Sequence, residues 1–391
     1  IVRLNKQMNK EKLQQRFLSF FGEGSGEVHC YFAPGRVNVI GEHQDYNGGH
    51  VFPAALKVGI YGAIRLREDS KVRLHSDNME KTVVVDVNEL FQYNIEHDWA
   101  NYPLGVIQFL KDKGHKVPGM DIYYNGNLPA GAGLSSSACM LDLTSYMLLS
   151  ELGLTPIDRT ELAKMAMHVE YHFVGVKVGI MDMYAIAHGK EGHGVLLDCT
   201  HMERKLVPLN WHGHTLVIMN TNKQRGLVDS KFNERKGECD AALEIIRKHK
   251  DISGLALATL DDLESISDDV LMRRARHVIT ENLRVLDFMK ALEAADLTGI
   301  AHCLNESHRS LQVDFEVTGK ELDTIVELAR SQEGCIASRM TGAGFGGCAI
   351  ALVKDEHIEA FMRAIPEEYE KQIGVTPSLY IAEIGDGVYS L

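Results

Sequence analysis

Three stretches of this chain gather residue types that do chemistry. The first is Leu128-Pro129-Ala130-Gly131-Ala132-Gly133-Leu134-Ser135-Ser136-Ser137-Ala138. A proline ends the preceding strand-like run, small residues let backbone N–H groups approach an anion, and a serine run opens an apolar stretch. A helix start carries unpaired N–H donors and partial positive charge, so the phosphates of a nucleotide suit it. The hydroxyls can cap the helix or turn outward to a phosphate or a magnesium ion. The loop lacks the lysine of a Walker A loop, and its glycine spacing is not that of a dinucleotide fingerprint. A Gly/Ser turn that merely caps a helix uses the same residues.

The second stretch runs from Pro34-Gly35-Arg36-Val37-Asn38 to Gly41-Glu42-His43-Gln44-Asp45-Tyr46-Asn47-Gly48-Gly49. Glu42, His43 and Asp45 can hydrogen-bond several hydroxyls at once, which is what a polyol demands. A capped turn with a salt bridge is the plainer alternative. No second histidine stands at ligand spacing, which argues against a metal held by this cluster. The third stretch, Gly179-Ile180-Met181-Asp182, sets a carboxylate among apolar neighbours at a strand-to-helix junction.

The elements that must position these groups follow from pattern. With 391 residues, 45% of them hydrophobic and 24% charged, the chain is expected to form two domains with a cleft between them. The net charge of −13 disfavours nucleic acid and anionic membranes as partners. The seven cysteines are scattered, without a CxxC pair, and read as buried thiols of a cytoplasmic protein. No run of about 18 apolar residues is present.

An amphipathic helix is expected within residues 1–25, with Leu13, Phe17, Leu18 and Phe21 on one face. Strands are expected at 28–33, 57–66, 72–76 and 120–125, and helices at 104–113, 135–152 and 159–173. The helix at 135–152 should bury one side and turn its N-terminus to the cleft. The domain boundary is placed near 205–215, giving domains 1–210 and 211–391. The second half reads as helices at 232–250, 269–295, 296–306 and 319–331, with strands at 211–220, 335–340, 347–353 and 380–384. Strands covered by helices there fit a ferredoxin-like layer, and the fold class is α+β.

The second stretch resembles the signature of galactokinases. The loop at 129–138 is similar to the ATP motif of the superfamily that also holds homoserine, mevalonate and phosphomevalonate kinases. Gly175 to Asp182 resembles the galactokinase catalytic segment, and Met340-Thr341-Gly342-Ala343-Gly344-Phe345-Gly346-Gly347-Cys348 the C-terminal superfamily motif. They stand in the family's order over nearly the whole chain. The resemblance implies an ATP- and Mg²⁺-dependent sugar 1-kinase that makes galactose 1-phosphate, with a mixed-sheet N-terminal domain and its site in the cleft. A monomer is expected.

It further implies that Glu42, His43, Asp45, Gly179, Asp182 and Phe232 meet the sugar. Gly131, Ala132, Gly133, Leu134, Ser135, Ser136 and Ser137 would cradle the triphosphate, with Ser76 and Trp99 also at the nucleotide and Trp99 against adenine. Mg²⁺ would lie on Ser137 and Glu170, since one hydroxyl cannot hold an ion that prefers octahedral oxygen ligation. His168 and His172 flank Glu170 at zinc-capable spacing but lack a third ligand. A buried Asp182 needs a partner, and Arg36 is the obvious one, keeping it ionised. Asp182 would act as general base or position the anomeric hydroxyl.

The glycines at 342–344 would close over the nucleotide side. Arg276 to Val278, Glu281, Asn282 and Ser307 to Leu311 read as domain packing and cleft support. Gln44, Met183 and Phe232 depart from the family's usual threonine, glutamine and tyrosine near the expected sugar. They leave two other readings open: a kinase for a related galactose-like sugar, and a catalytically silent regulator that binds galactose and ATP.

Overall fold

The computed structural model describes residues 8–129, 132–223 and 228–391. Helix α1 (Lys10–Phe21) begins at Asn9, whose side chain accepts from the Lys12 N–H, and ends at Gly22 with φ 77°. Its apolar face buries Leu13 and Phe17 against Cys30, Phe32, Tyr61 and Tyr123. The chain continues through β1 (His29–Asn38), β2 (His50–Val51), β3 (Pro53–Leu66), β4 (Lys71–Ser76), β5 (Val83–Asp86), α2 (Asn101–Asp112) and β6 (Met120–Gly126). Then come α3 (Ser136–Glu151), α4 (Arg159–His168), α5 (Met181–His188), β7 (His193–Asp198) and β8 (Glu203–Pro208).

The second half holds β9 (His214–Asn220), α6 (Val228–Arg247), α7 (Asp269–Glu293), α8 (Leu297–Ser310), α9 (Gly319–Ser331), β10 (Cys335–Thr341), β11 (Cys348–Lys354), α10 (Ile358–Ile373), β12 (Ser378–Ile381) and β13 (Tyr389–Ser390). The first sheet has the order β13-β1-β3-β6-β4-β5 and is mixed, because β4 and β6 run parallel while its other pairs are antiparallel. A small sheet, β2-β7-β8, stands beside it. The last sheet, β10-β11-β9-β12, is antiparallel throughout and has the strand order of a ferredoxin-like layer. After β12 the chain turns back, so β13 pairs with β1 and residues 389–390 sit in the first sheet.

Helix α3 differs from the one-sided burial expected of it. Ala138 through Ser145, together with Met147 and Leu148, are all buried. The helix lies between β1 and β3 on one side and α2, α4 and α5 on the other, and an apolar stretch covered all round is a core helix. A further core joins the two halves, packing Val37, Val39, Ile40 and Phe52 against Leu216, Ile218, Phe288, Ile350 and Leu352. The cleft therefore opens above a shared apolar floor. Among the described residues no helix is long and apolar enough to cross a membrane.

Candidate active site

The site begins at the end of β1, where a register shift between Pro34 and Arg36 turns Arg36 toward the start of α5. Arg36 Nε and Nη2 donate to the two Asp182 carboxylate oxygens at 2.7 and 2.8 Å. Its Nη1 donates to the Gly133 carbonyl at 2.9 Å and its backbone N–H to the Leu134 carbonyl at 3.1 Å. Burial pulls the guanidinium down, but Asp182 outweighs it and the net direction is up, so the arginine stays charged. Asp182 sits in the first turn of α5, where the helix dipole favours a carboxylate. Its side chain is 28% exposed while Arg36 is 4% exposed, so the pair is anchored on the arginine side and open on the aspartate side.

Ser135 precedes α3 in left-handed conformation, φ 63° and ψ 51°, which is unusual for a residue with a Cβ. Its Oγ donates to Asp182 Oδ2 instead of capping α3. Ala132 and Leu134 are buried in the core shared by the two halves, and of the expected cradle Gly133, Ser135, Ser136 and Ser137 reach a cavity. Gly131 lies outside the described residues.

Beyond Asp182 the loop after β1 supplies the next carboxylates. Glu42 Oε1 accepts from Arg339 Nη1 and from the Gly342 N–H, both at 3.1 Å. Asp45 accepts from the Tyr46 N–H through Oδ1 and from the Met181 N–H through Oδ2, both at 3.0 Å. Burial pushes the Asp45 carboxyl up to about 6 against these bonds. Gly179 leaves room for Asp45, since a Cβ there would collide with its carboxylate.

His43, at φ 60°, is held neutral, since burial lowers it to about 3. A neutral imidazole has one N–H, and a carbonyl can only accept. Nε2 therefore donates to the Ala343 carbonyl at 3.1 Å, and Nδ1 accepts from the Tyr46 hydroxyl at 2.7 Å. Both nitrogens of the expected sugar ligand are thus engaged within the protein. Phe232 packs its ring 5.7 Å from His43 and 5.5 Å from Tyr46.

These groups line a cavity of about 310 Å³, with Arg36, Glu42, Asp45, Gly179, Asp182 and Phe232 on its walls. A second cavity, of about 570 Å³, is walled by Ser76, Asn78, Trp99, Tyr102 and Met140. The two share Ser136, Ser137, Val176 and Asp229, so they meet at the N-terminus of α3. Trp99 is 4% exposed, donates its indole N–H to the Lys81 carbonyl at 3.0 Å and stands edge-on to Tyr124. Glu170, in a single π-helical turn after α4, is buried and pushed up to about 8 by burial and then by Asp182 and Asp229, with Ser137 hydrogen-bonding it.

Other expectations meet a different geometry. Met183 is fully buried in the N-terminal core, and Gln44 is buried with its amide oxygen against Gly49; neither lines either cavity. Gly342 and Ala343 wall the smaller cavity beside Glu42 and His43, rather than the larger one expected of the glycine turn. Tyr46, Val176, Asp229 and Arg339 were missed. Tyr46 lies inside the stretch from Pro34 to Gly49 and Val176 inside that from Gly175 to Asp182, and Asp229 stands three residues before Phe232, but Arg339 carries no spacing that points to Glu42.

A mixed sheet, a ferredoxin-like sheet and a cleft between them define the GHMP kinases. The GHMP kinases N terminal domain matches residues 101–190 and the GHMP kinases C terminal domain residues 288–371. The mevalonate kinase of Methanococcus jannaschii shares the fold at TM-score 0.66 and 17% identity, over 93% of this chain and 100% of its own. The galactokinase galactose-binding signature matches residues 15–66. A galactokinase of Exiguobacterium sibiricum is 47% identical over 97% of this chain and 98% of its own, and one of Clostridium tetani 45% identical over the full length of both. The crystal structure of Lactococcus lactis galactokinase complexed with galactose superposes at TM-score 0.93 and 41% identity, covering 97% of this chain and 99% of that one. The chain belongs to the galactokinase family, and it is an ATP-using kinase, as the motifs led one to expect.

Proposed function

We propose that this chain transfers the γ-phosphoryl group of ATP to the anomeric hydroxyl of galactose, giving galactose 1-phosphate and ADP. The observation that carries this reading is the Asp182 carboxylate, gripped on one side by Arg36 and Ser135 and open on the other to the smaller cavity, close to where the two cavities meet. Galactose would occupy the smaller cavity with its hydroxyls donating to Glu42 and Asp45. The nucleotide would occupy the larger one with its phosphates at Ser136 and Ser137, its base toward Trp99 and Ser76.

In-line transfer needs the acceptor oxygen placed at the seam, and Asp182 orients that hydroxyl and receives its proton as the phosphoryl group arrives. The transition state is loose, so positioning contributes more than early proton removal. Arg36, beside the transferring group, offsets charge on the equatorial oxygens. The donor set at the seam fits Mg²⁺: Ser137 and the buried Glu170 are hard oxygen ligands, and no ion pair with a cation is made by Glu170 among the described residues. When bound there, the ion would neutralise phosphate charge. Each cavity is lined by residues of this chain, and action as a monomer is part of the proposal. An ATP-consuming reaction suits the cytoplasm.

The test is ADP release with Mg²⁺ and ATP over galactose, glucose, arabinose, N-acetylgalactosamine and, as control, homoserine. Turnover led by galactose is expected. Binding of ATP and galactose without ADP release would replace the kinase reading with that of a sensor.

A further inference from the structure

Away from the cleft, a cavity of about 420 Å³ lies at the far end of α5 from Asp182. Four segments distant in sequence wall it: the start of α4, the end of α5 with the turn after it, β8, and β13 with the residues before it. None of its lining residues reaches either cavity of the cleft. Arg204 and Leu206 stand two apart on β8, so one face of that strand brings both to the wall.

Three cations line this cavity, Arg159, Lys190 and Arg204, against one carboxylate, Asp386. That carboxylate is already engaged, 3.5 Å from Lys190 Nζ and accepting from the Glu191 N–H at 3.0 Å. The two arginines are left over. Arg159 Nη1 donates to the Ala187 and Val388 carbonyls at 2.6 and 2.9 Å, covering the negative end of α5. Its Nε and Nη2, the edge with which Arg36 grips Asp182, meet no acceptor among the described residues. Arg204 is exposed and makes no ion pair among the described residues. Both guanidinium charges are felt at His188, whose imidazole is pushed down to about 4 by burial and then by Arg204 and Arg159.

In a chain of net charge −13, cations gathered in a concave site without carboxylates to match them attract an anion. Guanidinium forks from two directions, with an ammonium beside them, suit the several oxygens of a phosphate better than the single plane of a carboxylate. The volume exceeds that of the phosphate group alone, and Leu206 and Tyr389, each 39% exposed, offer apolar surface to an organic part. We propose that this cavity is a second ligand site, outside the cleft, which takes a small organic phosphate with its phosphate on Arg159, Lys190 and Arg204.

The experiment is isothermal titration calorimetry at constant ionic strength, on the chain with Mg²⁺, ADP and galactose present at saturation to fill the cleft. The probes are glucose 6-phosphate and galactose 1-phosphate, with glucose as the uncharged control. One ester bound per chain is expected, and no binding of glucose. Arg204→Glu should weaken ester binding about 10-fold or more. An unchanged melting temperature without ligand shows that this variant is folded. Tighter binding of galactose 1-phosphate makes the product proposed above the occupant, and equal or tighter binding of glucose 6-phosphate makes it a phosphate ester from another reaction; either result upholds the site. No binding of either ester to the native chain, or binding that Arg204→Glu leaves unmoved, overturns the proposal, whatever sugar the cleft phosphorylates.

Discussion

At the scale of single residues, the site depends on carboxylates held in chosen states. Asp182→Asn keeps the shape of the side chain but loses a charge that Arg36 needs and a group that can take a proton. We expect kcat to fall by about 10²–10⁴-fold with ATP affinity retained, measured by steady-state kinetics and nucleotide titration. Lost nucleotide binding would make the residue structural.

Gly179→Ala brings a methyl into collision with the Asp45 carboxylate, which has to shift and so weakens its bond to the Met181 N–H. The galactose KM should rise about 10- to 100-fold, with kcat less affected. Asp45 also predicts a pH dependence. Its carboxyl titrates at about 6, and only the ionised form accepts from a sugar hydroxyl with both oxygens, so KM should climb as pH falls through 6. Asp45→Asn should flatten that limb. On stability the same shift has the opposite sense: the native state keeps a proton that the unfolded chain gives up at 3.8, so this group's contribution falls as pH rises from 3.8 to about 6. Thermal melts across that range separate the two effects.

At the scale of elements, a buried polar network sets the loop after β1. Arg339 on β10 is fully buried and donates to the Asn38 and Val39 carbonyls at 3.2 and 2.9 Å, and to Glu42 and Ser307. Ser307 on α8 donates to Glu281 on α7, which also accepts from the Gly41 N–H. His277 Nε2 reaches the Glu42 carbonyl. Arg339→Met leaves Glu42 buried without its cation, and we expect about 3–5 kcal/mol of destabilisation in denaturant titration. Adding Glu42→Gln should recover part of it, at the expense of sugar binding; no recovery would mean that the carbonyl bonds of Arg339, not the ion pair, dominate.

This network also shows what the sequence could reveal. Glu42 and Asp45 were legible because carboxylates beside Val37, Val39 and Ile40 need a reason to be there. Arg36 was legible as the partner that a carboxylate among apolar neighbours requires, although Asp182 proves to be 28% exposed and only its arginine is buried. Arg339 stands 297 residues from Glu42, and no local spacing links them. Neighbours in sequence also diverge in space. Met183 follows Asp182, but one step along a helix turns a side chain by about 100° and sends this one into the core. The central β-strands of the ferredoxin-like layer were legible as short apolar runs, two of them flanking the glycine turn, whereas the return of β13 to the first sheet hangs on two residues without a pattern of their own.

For the whole molecule, the question is whether the halves unfold together. The smaller cavity takes Arg36, Glu42 and Asp182 from one half and Phe232, Gly342 and Ala343 from the other, while the core beneath it packs β1 and β3 against β9 and β11. Two halves that share a core and a ligand site lose both when either one opens. The chain's two tryptophans report on each half: Trp99 is buried in the N-terminal core, and Trp211 packs on the shared one just before β9. Trp211→Phe leaves the first signal alone, and Trp99→Phe the second. In each variant the fluorescence midpoint in urea should coincide with that from circular dichroism. Galactose at about 100 times its Kd should then stabilise both by about 2.7 kcal/mol, since it binds the joined cavity and not the unfolded chain. A Trp211 transition that stayed put while the Trp99 transition moved would mean that the C-terminal sheet opens independently, and Phe232 and Ala343 would then close on the sugar only after it had bound.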